Sequence, residues 1–248
     1  MRVAIVFAAA LHLARPAAAG IVYDFVTTIE APRNATRVAG RVWVDGSSYR
    51  AELAPDPNRA VDVVISTDAD RSAIYLDVDK HSWVERKRIN ADVRSSSLFR
   101  WPLPGGHVTG KPEIEHRVEE TTELAGQRAT LHVVTIRFRL ESLIEKERVG
   151  GTIEATARMW IANELRSLPM DRQIRTGYRE VDRELEPIFS GMTGMILRHE
   201  LEVTRTMDGG PPQKELTKTI VNNLTIMDVP PGKFEVPSEY AYAGTKAP

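Results

Sequence analysis

Residues 38–53 read VAGRVWVDGSSYRAEL, and this stretch decides the fold class. Apolar Val42 and Val44 alternate with the polar or aromatic side chains beside them, among them Trp43. Alternation with a period of two is typical of a strand whose two faces have different surroundings. The polar run DGSS at residues 45–48 is typical of a hairpin turn, and the alternation resumes after it. The stretch therefore predicts two antiparallel strands joined by a tight turn.

The same period recurs along most of the chain. In residues 127–140, for example, His132 is predicted to share a face with Val134 and Ile136, pointing into a core or a cavity. Short polar turns separate most of these segments, so they are expected to form successive hairpins. The ten predicted strands are residues 38–45, 49–53, 60–66, 72–78, 82–88, 113–124, 127–140, 152–162, 196–207 and 215–229.

Two regions depart from the strand pattern. Residues 179–194 carry apolar side chains at spacings of three and four, which predicts a helix that Pro187 should kink or restart. Residues 89–112 are expected to form a loop or flap, because their prolines and glycines interrupt any regular ladder. A short helix is possible inside this loop, over residues 90–100.

This order of elements excludes a parallel sheet, because there is no strand–helix alternation, and it shows no internal repeat. The predicted fold is mainly β with an α lid. It is a large curved antiparallel sheet, or half-open β-barrel, of about ten strands with one or two helices packed on its open side. Residues 20–248 are expected to form one domain with a frayed tail from about residue 241.

The chain begins with a segment typical of an export signal. Arg2 precedes a run of twelve residues that is apolar apart from His12, and the small residues Ala17 and Ala19 follow in the pattern that signal peptidase requires. Twelve residues of helix span only about 18 Å, which is too short for a ~30 Å hydrocarbon core. We therefore expect residues 1–19 to be cleaved between Ala19 and Gly20, which places the protein in the periplasm.

Composition excludes several classes of function. The formal net charge is −1 at pH 7, which gives no electrostatic case for nucleic-acid binding, and the chain has no cysteine. The histidines lack a metal-binding spacing, and His116 and His199 are expected on a solvated face. Ser190 lacks the Gly-x-Ser-x-Gly context of a serine hydrolase, and Gly150 and Gly151 are read as turn glycines. No catalytic residue, metal or cofactor is predicted.

Three motifs carry a resemblance to a known family. Residues 159–170, MWIANELRSLPM, resemble a W-[IV]-x-x-x-x-x-x-L-P segment, in which a strand ends in a turn and Leu-Pro. Residues 40–53 resemble a G-x-[VI]-W-V-D-G-x-x-x-R hairpin, and residues 231–240 resemble a terminal F-x-[VI]-P-x-x-Y. These motifs resemble the LolA/LolB-like superfamily of periplasmic lipoprotein carriers. The hairpin and terminus are most similar to its exported, outer-membrane lipoprotein-sorting-like relatives of domain of unknown function 4412.

The resemblance implies a half-open barrel whose helical lid encloses an apolar cavity, which in known members holds acyl chains. The expected function is non-catalytic binding of a hydrophobic small molecule, a lipid or a lipoprotein. An envelope protein partner and peripheral membrane contact are compatible with it. The cavity is expected to be lined by Trp43, Trp83, Phe99, Trp101, Phe138, Trp160, Leu185, Phe189, Met192 and Met195.

Two alternatives stay open from the sequence. The same fold is suited to a periplasmic protein-interaction or envelope-stress regulatory module, which would show a filled core and an exposed apolar patch. An uncharacterised hydrolase is the third reading, and it would show convergent polar groups with perturbed pKa values. A carrier would instead show a continuous apolar surface open to a ligand.

Overall fold

A computed structural model describes residues 20–31, 35–56, 62–67, 72–87, 99–165 and 174–244. The expected export signal, most of the expected short helix at 90–100 and the Leu168-Pro169 motif lie outside these residues. The strands are β1 Gly20–Glu30, β2 Ala35–Asp45, β3 Ser48–Leu53, β4 Val63–Ser66, β5 Ser72–Asp77, β6 Ser82–Lys87, β7 His107–Leu124, β8 Gln127–Ile144, β9 Glu147–Ala162, β10 Met195–Met207, β11 Gln213–Met227 and β12 Ala241–Tyr242.

All twelve strands belong to one sheet. Their order is β12-β6-β5-β4-β3-β2-β1-β11-β10-β9-β8-β7, and every neighbouring pair is antiparallel except β12 and β6. The sheet is large, curved and open, and its two edges are β12 and β7. The predicted fold class, mainly β with one helix on an unclosed antiparallel sheet, is therefore confirmed.

The sheet has two faces with different chemistry. We call the face that carries helix α1 (Arg179–Gly191) the inner face and the opposite one the outer face. Core 1 lies on the inner face of β7–β10 under α1, and core 2 fills the region where β1–β3 approach the ends of β8–β10. Ion pairs such as Arg41–Asp24 and Arg198–Glu200 lie on the outer face of the central strands.

Helix α1 is amphipathic. Val181, Leu185 and Phe189 recur on one side and are buried in core 1. The Asp182 carboxylate accepts hydrogen bonds from the backbone N–H and the hydroxyl of Thr176, at 2.7 and 2.8 Å, which ties the preceding turn to the first turn of the helix. The helix runs through Pro187 and ends at Gly191, so the predicted restart at this proline is wrong. No helix in the described ranges has the length and apolar character needed to cross a membrane.

Several boundaries differ from the sequence-based prediction. Strand β1 was not predicted, although it joins the two halves of the sheet between β2 and β11. Residues 107–112, expected in the loop, already belong to β7. The β8–β9 turn lies at Glu145 and Lys146, whose φ angles are 50° and 74°.

Gly150 and Gly151 lie inside β9, so their reading as turn glycines is wrong. A Cβ added at Gly151 would lie 2.6 Å from Trp101 Cη2 and 2.3 Å from the Thr206 carbonyl oxygen. The strand therefore needs glycine here because the indole of Trp101 and the neighbouring backbone approach it closely.

The C-terminal segment packs against the outer face of β3–β6. After a 3-10 turn at Pro231–Phe234, the side chains of Phe234 and Tyr240 contact a third core built on Ile65 and Leu76. Strand β12 then pairs with β6. The backbone N–H groups of Ala241 and Ala243 donate to the carbonyl oxygens of His81 and Trp83 at 2.9 Å. Residues 241–243 are therefore paired with the sheet, where a frayed tail was expected.

Candidate functional site

A band of half-buried side chains crosses the inner face between core 1 and core 2. Directly opposed residues follow one another across the strands because the register is regular there. We call this band the central stripe. It consists of Phe25, Thr27 and Ile29 on β1, Val38 on β2, Thr217 and Thr219 on β11, and His199 on β10.

The register explains why these seven side chains share a face. Thr27 lies opposite Val38 on one side and Thr219 on the other, and Thr219 lies opposite His199. His199 in turn lies opposite Met159, which belongs to core 1. The stripe is therefore continuous with core 1 across β9 and β10. At its other end the Phe25 ring packs against core 2.

The ring of Phe25 occupies the space above Gly40, its neighbour on β2. A Cβ added at Gly40, directly opposite on β2, would lie 2.9 Å from Phe25 Cε1. Gly40 therefore gives the aromatic ring room on the inner face. This placement leaves an aromatic ring exposed in part on the β1–β2 end of the stripe.

The polar atoms of the stripe are hydroxyls and one imidazole. Thr27 Oγ1 and Thr219 Oγ1 are hydrogen-bonded at 2.9 Å. His199 Nε2 and Thr217 Oγ1 are shielded from solvent and have no hydrogen-bond partner within the part of the chain that the structure describes. The residue His199 keeps some accessible surface, but its Nε2 atom is buried. The stripe thus offers hydrogen-bonding capacity without formal charge.

Burial governs the protonation of His199. Desolvation disfavours the imidazolium and lowers the pKa of His199 from 6.5 to about 4, against the smaller opposing effect of Glu200. Glu200 itself is adjacent in sequence and lies on the outer face, paired with Arg198 and Lys218. His199 is therefore neutral at physiological pH.

The expectation of a solvated His199 is wrong, because its charged sequence neighbours Arg198 and Glu200 project from the opposite face. The alternation of apolar and polar residues along β10 could have predicted the inward orientation of His199. His132, expected to face a core or cavity, is half-buried and hydrogen-bonded to exposed His116, with 3.1 Å between His116 Nε2 and His132 Nδ1. Burial, and then the neighbouring His116, lower the pKa of His132.

Six of the predicted cavity residues come together in core 1, where their side chains are buried. Within core 1 the Phe99 and Phe138 ring centroids lie 6.5 Å apart, and Trp101 donates its Nε1–H to Ser142 Oγ at 3.0 Å. Met195 is buried in core 2. The six residues, all at most 5% exposed, are Phe99, Trp101, Phe138, Leu185, Phe189 and Met192.

The other three predicted tryptophans lie away from the stripe. Trp43 and Trp83 lie on the outer face, where the Lys233 ammonium stands 3.8 Å from the Trp43 ring centroid and Tyr242 packs 4.5 Å from Trp83. Trp160 lies under the Arg198 guanidinium at 4.5 Å and packs against the rim of core 2. In these positions the tryptophans hold cations and the C-terminal segment in place.

An open pocket of about 450 Å³ lies beside the C-terminal segment, on the outer face. Its lining is polar and apolar in similar measure, and it includes the cationic side chains of Arg50 and Lys233. Both cations already bind the Glu52 carboxylate, at 2.7 and 2.8 Å. This pocket is therefore not the apolar cavity that the sequence led us to expect.

Ser190, the serine considered as a nucleophile, is engaged with its own helix. The Ser190 hydroxyl donates to the Glu186 carbonyl oxygen at 2.6 Å on the exposed side of α1. Within the described ranges no three acidic or histidine side chains converge in a way that would hold a metal ion.

Comparisons with known proteins concern the fold. No protein family matches the sequence, and no curated protein matches it. Among solved structures, a LolA superfamily protein from Nitrosomonas europaea is similar over 88% of this chain and 90% of its own, with a TM-score of 0.35 and 8% identity. A domain-of-unknown-function 1329 family protein from Desulfovibrio piger is similar over 89% and 91%, with a TM-score of 0.33 and 7% identity.

A third match is PNGF-II, with a TM-score of 0.35 and 8% identity, and here 92% of this chain covers 31% of that one. Similarity at these TM-scores carries no conclusion about fold or activity. The narrower assignment to domain of unknown function 4412 stays a prediction. The observed sheet has the open, curved form that the LolA-like resemblance of the sequence motifs implies.

Proposed function

We propose that this chain is an exported, non-catalytic protein that binds a hydrophobic or lipid-like ligand against the central stripe. The observation that carries the proposal is the chemistry of the stripe. It joins two apolar cores, yet its own side chains are only half-buried. An elongated apolar molecule laid across it would lose contact with water at ~0.8 kcal/mol per CH2.

The two faces of the central strands support this choice of surface. The outer face carries ion pairs, including Lys218–Glu200 at 3.3 Å and Lys214–Glu202 at 2.8 Å. The stripe carries none. An acyl chain avoids a surface on which it would cover charged groups, because these would lose their hydration. Ligand binding is therefore favoured on the inner face.

Helix α1 lies beside this surface and not over it. Its contacts with the sheet centre on β7, whereas the stripe lies on β2, β1, β11 and β10. Its buried side chains Leu185 and Phe189 are part of core 1. The predicted lid residues are thus proposed to flank the site at its core 1 end.

The interaction module is less well supported. Its simplest docking surface would be the free edge strand β7, by addition of a partner strand. Two register shifts, between Thr109 and Glu113 and between Val118 and Thr121, interrupt this strand. Its many charged side chains also disfavour pairing with another strand. These features are typical of edges that are protected from pairing.

A matched pair of variants tests the proposed function. Ile29 and Thr28 are adjacent on β1, both half-buried, and point to the inner and outer face respectively. We expect Ile29→Asp to weaken binding of an uncharged fluorescent fatty-acid ester probe by at least tenfold. Thr28→Asp should keep it, because the new carboxylate would lie opposite Lys218.

The probe titration is made at pH 7.4 on the full chain, with circular dichroism confirming that both variants remain folded. Mass spectrometry of gently purified protein reports any lipid that copurifies. Equal probe binding by the two variants would move the site away from the stripe. Absence of both copurifying lipid and probe binding would refute the function.

A further inference from the structure

Two buried polar atoms of the stripe have unsatisfied hydrogen-bonding capacity among the residues described. Thr217 lies opposite Leu201, two residues along β10 from His199, so the two side chains are diagonal neighbours on the inner face. Both His199 Nε2 and Thr217 Oγ1 are shielded from solvent without a hydrogen-bond partner among the residues described. Buried polar atoms of this kind are costly, and native proteins keep few of them.

We propose that His199 and Thr217 form a head-group subsite that binds an uncharged polar group of the ligand, such as the hydroxyls or ester of a monoacylglycerol. The inference rests on the proposed function and specifies its ligand class. The acyl chain would follow the apolar side chains Phe25, Ile29 and Val38. The polar group would lie at the β10–β11 end.

The chemistry of the two side chains fits an alcohol or an ester. A neutral imidazole presents one N–H donor and one acceptor nitrogen, and a threonine hydroxyl both donates and accepts. A ligand hydroxyl complements either group, and an ester carbonyl accepts from both. The hydrogen-bonded Thr27–Thr219 hydroxyl pair is next to this position and has acceptor capacity left.

The electrostatics of the inner face disfavour a charged head group. Burial keeps the imidazole of His199 neutral, since its pKa lies at about 4. The ionised side chains nearest along the inner face, Arg205 and Glu215, are bound to each other. A carboxylate or phosphate at the subsite would therefore be desolvated without a counter-ion, which is unfavourable.

Three ligands with the same C16 chain test this inference: 1-monopalmitoylglycerol, palmitate and hexadecane. Each competes with a bound fluorescent probe, below its aggregation concentration, at pH 7.4. We expect monopalmitoylglycerol to bind at least tenfold more tightly than palmitate, because it makes the hydrogen bonds and carries no charge. Hexadecane has no polar group, so its affinity should be the same for the wild type and for variants of the subsite.

Isosteric variants remove the subsite with little change of shape. Thr217→Val and His199→Phe should each weaken monopalmitoylglycerol binding by about fivefold, the equivalent of one hydrogen bond, and leave hexadecane unchanged. Thr28→Val on the outer face is the matched control and should change neither. Should His199→Phe fail to fold, the ring resonances of His199 in the wild-type chain are followed by NMR, and we expect them to shift with monopalmitoylglycerol but not with hexadecane.

The outcomes separate the two proposals. If none of the three ligands binds, the proposed function itself fails. If all bind but palmitate binds as tightly as monopalmitoylglycerol, or if Thr217→Val leaves the preference unchanged, the head-group subsite is overturned while the apolar site stands. Unshifted His199 resonances on binding of monopalmitoylglycerol would also overturn it.

Discussion

Acidification should destabilise this protein well above the pH at which carboxylates titrate, and His199 should cause much of the effect. The folded chain keeps this imidazole neutral, with a pKa of about 4, whereas the unfolded chain exposes it with an ordinary pKa of 6.5. Between these two pH values the unfolded state binds a proton that the folded state does not. The free energy of unfolding therefore falls as the pH falls.

The size of the effect follows from the two pKa values. Stability from this source is fully present above pH 6.5 and declines by ~1.4 kcal/mol per pH unit down to about pH 4. The loss across the whole window is about 3 kcal/mol. His132 adds to it in the same direction, because burial and His116 lower its pKa as well.

Urea unfolding at pH 7.5, 6.0, 5.0 and 4.5, followed by circular dichroism, measures this linkage. His199→Phe removes one titrating group and leaves His132 and the carboxylates in place, so the difference between the two proteins isolates His199. We expect the free energy of unfolding of the variant, relative to that of the wild type, to rise as the pH falls. A difference in unfolding free energy that is independent of pH would show that His199 is not buried as a neutral side chain.

Three further changes have expected outcomes. Leu185→Ala removes a side chain that is 1% exposed in core 1 and should lower the free energy of unfolding by about 2–5 kcal/mol in urea titrations. Gly151→Ala places a Cβ 2.3 Å from the Thr206 carbonyl oxygen, so Tm should fall sharply in calorimetry, and an unchanged Tm would contradict the close packing of β9. Arg41→Ala breaks an exposed ion pair with Asp24 and should leave Tm unchanged in the same measurement.

Local patterns predicted much of this fold. The hairpin of residues 38–53 is present as β2 and β3, with Asp45 opposite Ser48 at the turn. The long strands β10 and β11 and the start of α1 also follow the predicted segments closely. These elements have one polar and one apolar side, or a polar turn with glycine, so a short window of sequence identifies them.

Elements whose local signal is weak were missed. Strand β1 alternates Ile21, Tyr23 and Phe25 on its inner face, but Val22 and Val26 on the other face blur the period. The β8–β9 turn has Glu145 and Lys146 at positive φ, where glycine or asparagine is the usual signal. Gly150 and Gly151 look like turn residues, and only the position of Trp101 explains them.

The sequence by itself determined the antiparallel β class, the single amphipathic helix and the apolar residues available for a core, because strand and helix periods are local properties of the chain. Only the tertiary structure decided which of those residues are packed away and which form a surface. Phe189 and Met192 became part of core 1, while Phe25, Thr217 and His199 came together as the stripe. The reason is physical: positions 25, 199 and 217 lie on three different strands, one of them near the opposite end of the sequence from the other two. Only the pairing of β1 with β11 and of β11 with β10 brings them onto one face.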